Sequence, residues 1–228
     1  MAFFRTTPAL LRGNALEAAL RSCGLRLGPR RRWVEPADIE LTLVSLAADS
    51  MPSGYRSWGV LCAWLEQHSR RVNVPKLLRI VRLTASDELL LAWWAAIGHW
   101  LGRSDARWRA LTRLSDARGL SPEGDDELTR LSIARHGHDP RFAGGPLAVH
   151  SRLLRSRPQD VDPPSSLLKR HPTYRQRVIQ GPNYRADIWA QLEHDSSLSP
   201  SELARISAST YETARSVAID YRLVSSVA

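Results

Sequence analysis

The sequence predicts a mainly helical protein with an N-terminal helical bundle, an extended connector rich in proline and arginine, and a C-terminal unit of three helices. Three observations support this prediction. Apolar residues recur at helical spacing behind capping residues as far as about residue 135, prolines and glycines then interrupt the chain every few residues, and three closely connected helical segments follow. These changes of character place the bundle at residues 1–137, the connector at 138–182 and the three-helix unit at 183–228.

The composition is that of a globular protein with a basic excess. Of the 228 residues, 43% are apolar and 24% are charged, which is enough apolar material for a core and argues against global disorder. The formal net charge is +9, and 30 of the 32 basic residues are arginine. A basic balance of this size favours a polyanionic partner, and double-stranded DNA is the partner that we expect.

Cysteine content and hydropathy indicate the cellular compartment that we expect for the chain. Cys23 and Cys62 are the two cysteines, too few for a disulfide framework or a four-sulfur zinc site. No signal peptide is visible, so we expect a cytoplasmic protein. The most apolar run, residues 89–97, has nine residues, whereas a membrane-spanning helix needs about 20, so this run predicts a buried helix and no membrane contact.

Helix-start signals follow one another through the N-terminal bundle. Asn14 and Glu17 fit a capping box, and Pro36 and Pro75 fit first helical turns. Ser86-Asp87-Glu88 supplies a cap and two carboxylates at the start of the apolar helix that contains residues 89–97. Further starts fall near residues 57, 104 and 121. Seven of the eight tryptophans lie in residues 33–108, where aromatic residues at helical spacing are typical of packing rather than of a cofactor site. The bundle is also where we expect a protein partner or a homodimer interface.

The positive charge is concentrated in two segments. Residues 1–34 carry a net charge of +6 and residues 141–185 one of +7, whereas residues 186–228 carry −3. Basic side chains beside tyrosines in the connector predict contacts with the DNA backbone, and the first segment is either a second backbone contact or a solvated loop. The predicted phosphate-binding residues in the two segments are Arg30, Arg31, Arg32, Arg152, Arg155, Arg157, Lys169, Arg170, Arg175, Arg177 and Arg185.

The three-helix unit contains the most specific pattern in the chain. Its first predicted helix is Tyr184–His194. The tetrapeptide Ser-Pro-Ser-Glu at residues 199–202 combines a cap, a proline at the first helical position and a glutamate at N3, which predicts the start of a short second helix. After a turn at residues 207–209, a third helix places apolar residues at i, i+3, i+4 and i+7, namely Ala214, Val217, Ala218 and Tyr221.

This part of the chain resembles the helix-turn-helix family of bacterial DNA-binding proteins. The resemblance rests on Ser-Glu-Leu-Ala-Arg at residues 201–205 and Ser-Thr-Tyr-Glu-Thr-Ala-Arg at residues 209–215, and with the preceding helix it covers about residues 184–222. The family needs a small residue in the first helix of the motif and a buried one in the second, and Ala204 and Ala214 fit. At the turn, where the family usually has a left-handed glycine, this chain has Ala208, which must adopt a strained backbone or another turn geometry.

The resemblance implies that the second helix of the motif enters the major groove of DNA. The implied base-reading residues are Thr210, Tyr211, Glu212, Arg215 and Ser216. Glu212 suits a cytosine amino group and Arg215 suits a guanine, while Arg205 and Arg222 join the predicted phosphate-binding set. The net charge of −3 over residues 186–228 is the main argument against this interpretation.

These features predict a DNA-binding protein without catalytic residues, bound metal or cofactor. His136 and His138 lack further ligands at motif spacing, and the sequence contains no P-loop, dinucleotide-binding turn or nucleophile elbow. We therefore expect a transcriptional regulator or the DNA-binding component of a bacterial phage-defence or toxin–antitoxin system. The alternative is a protein-binding module, such as an antitoxin or assembly subunit, whose helix-turn-helix unit docks a protein partner.

Overall fold

The computed structural model describes residues 8–27, 36–50, 54–124 and 126–226, without the side chain of Asp126, and these ranges are mainly helical, as the sequence predicts. The α-helices are α1 Gly13–Ser22, α2 Ile39–Asp49, α3 Tyr55–His68, α4 Val74–Thr84, α5 Glu88–Leu101, α6 Asp126–His136, α7 Pro164–Arg170, α8 Pro172–Gln180, α9 Tyr184–His194, α10 Pro200–Ser207 and α11 Tyr211–Ser225. A 3₁₀-helix, Ala106–Leu114, lies between α5 and α6. Among the residues described, no helix combines the length and the hydropathy that crossing a membrane requires.

Side-chain caps fix the starts of several bundle helices. The carboxylates of Asp38 and Asp87 and the amide oxygen of Asn73 each accept a backbone N–H from three residues later, at the starts of α2, α5 and α4. Helix α1 differs, because Asn14 and Glu17 both lie inside it and its N-cap makes no side-chain hydrogen bond. The capping box predicted there does not form.

Tryptophans form the centre of the main hydrophobic core. Trp58 of α3 stacks on Trp93 of α5, with ring centroids 4.1 Å apart. Gly98 allows α5 to approach the 3₁₀-helix, because a Cβ atom at this position would lie 2.9 Å from the Cβ of Leu111. The other fully buried tryptophans of this core are Trp64, Trp94 and Trp108.

Residues 138–182 differ from the extended connector that their proline content predicts. Pro164 and Pro172 occupy the first positions of α7 and α8, where a missing N–H breaks no helical hydrogen bond, so these prolines start helices instead of preventing them. The segment approaches α3 so closely that a Cβ atom at Gly59 would have no room beside the carbonyl of Arg155. It is a packed layer of the bundle, and it contributes Phe142, Leu147, Val149, Leu154, Val161, Leu167 and Tyr174 to the main core.

Two buried histidines attach this layer to the N-terminal helices. His68 of α3 has its Nε2 3.0 Å from the carbonyl oxygen of Asp162 and its Nδ1 2.9 Å from the Tyr174 hydroxyl. His171 has its Nε2 3.0 Å from the carbonyl oxygen of Ala37, and its Nδ1 accepts the Tyr174 N–H at 3.3 Å. In each ring Nε2 donates and Nδ1 accepts, which is the neutral form. Burial lowers the pKa of both histidines to about 4.

Helices α9, α10 and α11 enclose a second, smaller hydrophobic cluster. At its margin the rings of Trp189 and Tyr221 meet edge to face, with centroids 5.1 Å apart. The buried members are Ile188, Leu192, Leu203, Ala214, Val217 and Ala218, which include three of the four residues predicted for the apolar stripe of the third helix, and the fourth, Tyr221, is partly buried.

Candidate nucleic-acid interface

A tight turn joins α10 to α11. Helix α10 ends at Ser207, and Ala208 adopts the left-handed conformation, with φ 61° and ψ 28°. The N–H groups of Ala208 and Ser209 both donate to the carbonyl of Ala204, while the guanidinium of Arg79 donates to the carbonyl of Ala208 at 3.0 Å. Of the two alternatives raised by the sequence, the chain therefore adopts the strained backbone, and Arg79 of α4 holds the turn against the bundle.

Local hydrogen bonds start the helices on both sides of this turn. At α10 the Glu202 N–H donates to Ser199 Oγ at 3.3 Å, and the Ser199 N–H donates to Glu202 Oε2 at 2.9 Å. The hydrogen bonds from Ser199 lower the pKa of the Glu202 carboxyl. At α11 the Thr210 hydroxyl accepts the Thr213 N–H at 3.1 Å and lies 2.8 Å from the Thr213 hydroxyl. Thr210 thus caps α11, and its hydroxyl is hydrogen-bonded to Thr213.

The other four predicted base-reading residues lie together on the accessible side of α11. Glu212, Arg215 and Ser216 are exposed and face away from the buried Ala214, as the period of an α-helix requires. Tyr211 begins the helix and is 49% exposed. The N-terminal half of α11 therefore presents a continuous polar surface, which we call the α11 face.

The α11 face continues into apolar residues that the sequence pattern did not bring forward as site candidates. Ile219, one turn after Arg215, is 54% exposed, and Leu223, one further turn along, is 66% exposed. Val224 beside them is 55% exposed. A signal existed in the sequence, because Ile219 and Leu223 follow Arg215 at i+4 and i+8, on the face opposite the predicted buried stripe.

Six of the predicted phosphate-binding residues are exposed and have no ion-pair partner among the residues described. One of the six lies in each of α7, α10 and α11, and the other three lie in the stretch just before the 3₁₀-helix Pro158–Asp160. Arg30, Arg31 and Arg32 fall outside the described residues. The six are Arg152, Arg155, Arg157, Lys169, Arg205 and Arg222.

Three further members of the predicted set are engaged in ion pairs within the chain. These pairs are Arg170 with Asp162, Arg175 with Glu193 at 2.8 Å, and Arg185 with Asp220 at 2.6 Å. The guanidinium of Arg185 also lies over the ring of Trp189, 5.3 Å from its centroid. These partly exposed arginines form ion pairs within the protein, so a DNA phosphate would have to compete with a carboxylate for each of them.

Arg177 was predicted to bind phosphate, and this prediction is wrong. Its side chain in α8 is fully buried. The guanidinium donates to both oxygens of Glu40 at 2.6 and 2.8 Å, to both oxygens of Asp187 at 2.7 and 2.9 Å, and to the carbonyl of Arg71 at 3.0 Å. The physical reason for the burial is that the carboxylates of Glu40 and Asp187 are themselves buried, and a buried carboxylate is costly unless a cation pairs with it. A guanidinium can do so with two hydrogen bonds to each. Although burial alone would lower it, Asp187 and Glu40 raise the pKa of Arg177 well above its ordinary value.

Lys76 completes this buried charged cluster. Its Nζ lies 2.6 Å from Asp38 and 3.3 Å from Asp187, so α2, α4, α8 and α9 meet at one set of charges. Burial disfavours the charged form of Asp187, but Arg177 and Lys76 outweigh it and lower the pKa of this carboxyl. The cluster docks the first helix of the three-helix unit onto the bundle.

These ion pairs involve half of the acidic residues that give residues 186–228 their net charge of −3. Of the six acidic residues in residues 186–228, Asp187 is neutralised by Arg177 and Lys76, while Glu193 and Asp220 are paired with arginines of residues 141–185. A net charge of −3 counted along the chain therefore overstates the unpaired negative charge of residues 186–228. The main argument against DNA contact becomes much weaker.

Cys23 and Cys62 are both buried, and burial raises the pKa of each thiol to about 12, so neither is an activated nucleophile. No group of three His, Cys, Asp or Glu side chains is arranged to hold a metal ion in the part of the chain that the structure describes. A cavity of about 230 Å³ lies beside the charged cluster, and its charged lining residues are already paired with one another.

Comparisons with known proteins add no relative to this picture. No protein-family model, no curated protein and no solved structure matches the chain. The helix-turn-helix resemblance therefore rests on the residues of the motif and on the geometry described above.

Proposed function

We propose that this chain is a DNA-binding protein whose α11 face reads base edges in the major groove. It would act as a transcriptional regulator or as the DNA-binding component of a bacterial defence or toxin–antitoxin system. The observation that carries the proposal is the exposure of Glu212, Arg215 and Ser216 on one side of a helix that α9 and α10 support from behind. Side chains that point outward from a rigid helix are the means by which such motifs discriminate bases.

The chemistry of the α11 face suits base edges. The major groove is about 12 Å wide and admits an α-helix, so residues on one side of α11 would face the floor of the groove. Arg215 has no ion-pair partner in the described ranges, and its guanidinium matches the O6 and N7 acceptors of guanine. The Glu212 carboxylate accepts a hydrogen bond from the amino group of cytosine.

Exposed basic residues supply the phosphate contacts that hold a helix in register on DNA. Arg205 of α10 and Arg222 of α11 are exposed, and they precede and follow the base-reading residues along the chain. Arg152, Arg155 and Arg157 form a second group in the packed layer of the bundle. Backbone contacts of this kind give affinity without sequence preference, whereas base contacts give specificity.

Replacement of Arg215 tests the proposal. A preferred site would be selected from a random double-stranded library with the full chain, and affinities for this site and for random DNA would be measured by fluorescence anisotropy. Arg215→Ala should lose about 1–3 kcal/mol on the selected site and little on random DNA, because a base contact discriminates and a phosphate contact does not. Arg135→Ala, which removes an exposed arginine from α6, is the charge-matched control and should bind as the parent does.

The proposal would be overturned by a parent-like Arg215→Ala variant on both kinds of DNA. A protein-docking module is then the second candidate, and the exposed Ile219, Leu223 and Val224 favour it because apolar side chains on a helix suit a groove in a partner. Co-expression with the product of an adjacent gene separates the two functions. A docking module should lose that product on Leu223→Asp and keep it on Arg215→Ala.

A further inference from the structure

We infer that Ile219 is a specificity-determining residue that contacts the 5-methyl group of a thymine in the groove that α11 occupies. The inference deepens the proposed function and rests on it. Ile219 lies on the α11 face, exposed to 54%, in line with the predicted guanine contact at Arg215. A ligand that engages Arg215 with this face therefore also approaches Ile219.

The spacing of Arg215 and Ile219 determines how far the thymine lies from the guanine in the DNA. Ile219 follows Arg215 by four residues, which is about 6 Å along the helix at 1.5 Å per residue. Successive base pairs are separated by about 3.4 Å. The base that faces Ile219 is therefore roughly two base pairs from the guanine that faces Arg215, if the helix follows the groove.

The chemistry of the side chain selects thymine among the bases. The major-groove edges of guanine, adenine and cytosine present hydrogen-bonding groups, and thymine alone adds a methyl group. Ile219 has no polar group to offer, so a hydrogen-bonding edge placed against it would lose water without gaining a partner. A thymine methyl group instead buries apolar surface against it, and one buried group of this size changes affinity by about fourfold.

Uracil substitution in the DNA tests the inference directly. In the selected site, each thymine within three base pairs of a guanine would be replaced singly by deoxyuridine, which removes the methyl group and keeps the base pair. The parent chain should lose about fourfold in affinity at one or two of these positions. Ile219→Ala should bind the thymine and deoxyuridine sites equally, while Ile219→Val should keep the discrimination because it keeps an apolar branch.

A control variant and two possible outcomes decide whether the inference holds. Ile206→Ala removes an exposed isoleucine from neighbouring α10 and should discriminate thymine from deoxyuridine as the parent does. Equal parent affinity for all thymine and deoxyuridine sites overturns the inference, and it leaves the proposed function intact if Arg215→Ala still loses specificity. If no sequence is selected and Arg215→Ala binds as the parent does, both the proposed function and the inference fail.

Discussion

Ala208 holds a backbone conformation that its side chain disfavours. Among the described residues it is the non-glycine residue with positive φ, at 61°. An alanine in the left-handed region costs about 1–2 kcal/mol, because its Cβ approaches the following carbonyl oxygen. The turn nevertheless forms, since the Ala204 carbonyl, Arg79 and the caps on both helices fix its geometry.

Ala208→Gly should therefore stabilise the protein. We expect the free energy of unfolding in urea to rise by about 0.5–1 kcal/mol, because the relief of left-handed strain exceeds the entropy that glycine adds to the unfolded chain. Ala134→Gly, at an exposed right-handed position of α6, is the matched control and should lower it by up to about 1 kcal/mol. Equal losses for both variants would show that Ala208 is unstrained.

Arg177 is the residue whose removal should matter most to stability. Arg177→Met leaves Glu40 and Asp187 buried without their bidentate partner, and we expect a loss of about 3–5 kcal/mol in the free energy of unfolding. Arg175→Met removes a neighbouring arginine that is 46% exposed in its ion pair with Glu193, and should cost at most about 1 kcal/mol.

A companion variant keeps this prediction testable if Arg177→Met is too unstable to purify. Adding Glu40→Gln and Asp187→Asn removes the unpaired negative charges, so the triple variant should recover part of the lost stability. A triple variant that is less stable than Arg177→Met would show that the carboxylates are not the source of the loss.

These residues mark the boundary of what sequence alone could predict. The turn at Ala208 was predicted because it depends on capping groups within a few residues along the chain. The partner of Arg177 at Glu40 lies 137 residues away, and no local pattern specifies such a pair. Two weaker signals existed: Glu40 is flanked by Ile39 and Leu41 in an apolar helix, and Arg177 follows the buried Tyr174 by one turn of α8.

At the scale of elements, the same logic separates the helices from the layer of residues 138–182. Helix starts at Asp87 and Ser199 were predicted because caps are local. The prolines of residues 138–182 also act locally, but a proline either prevents a helix or occupies its first turn, and the sequence does not say which. Residues 138–182 form a compact layer because they pack against α3 near Gly59, and this contact joins residues that are far apart in the sequence.

The histidines that fasten this layer should make the fold sensitive to acid. Their pKa is about 4 in the folded chain against an ordinary 6.5, so the unfolded chain takes up these protons first as the pH falls. Their contribution to stability is complete above about pH 6.5 and is lost as the pH falls towards 4. We expect the free energy of unfolding to decline over this range by about 1.4 kcal/mol per pH unit for each histidine that remains neutral in the fold.

His68→Gln provides the comparison for this titration. Glutamine can still donate to the Asp162 carbonyl and accept from the Tyr174 hydroxyl, but it does not titrate. Urea unfolding at a series of pH values between 6.5 and 4 gives the free energy of unfolding as a function of pH. The slope of this curve should be shallower for the variant, because unfolding of the variant takes up about one proton fewer than unfolding of the parent. Parallel slopes would show that His68 is protonated equally in both states.

For the whole molecule, the arginines of residues 141–185 divide into two groups with different roles. Arg175 and Arg177 of α8 pair with acidic residues of α9 and so join the three-helix unit to the bundle, while Arg185 of α9 pairs with Asp220 of α11 inside that unit. Arg152, Arg155 and Arg157 remain exposed without ion-pair partners in the described ranges. The net charge of +7 in this segment could be counted from the sequence, but its division between internal pairing and free surface depends on the fold.

This division predicts which arginines govern the salt dependence of DNA binding. Replacing Arg152, Arg155 and Arg157 together by alanine should weaken binding to selected and random DNA alike, because phosphate contacts carry no sequence preference. The slope of log affinity against log salt concentration should flatten by about 0.9 for each DNA phosphate that the variant no longer neutralises, and it can be measured by anisotropy at several salt concentrations.

The control for this experiment must remove the same charge from another surface. Arg113, Arg118 and Arg135 are exposed arginines of the bundle, and replacing all three by alanine changes the net charge equally. This control variant should keep the parent slope if phosphate binding is local to residues 152–157, whereas a general effect of net charge would flatten both slopes alike. An unchanged slope for the first variant would move phosphate binding to other basic residues, with Arg30, Arg31 and Arg32 the next to be replaced.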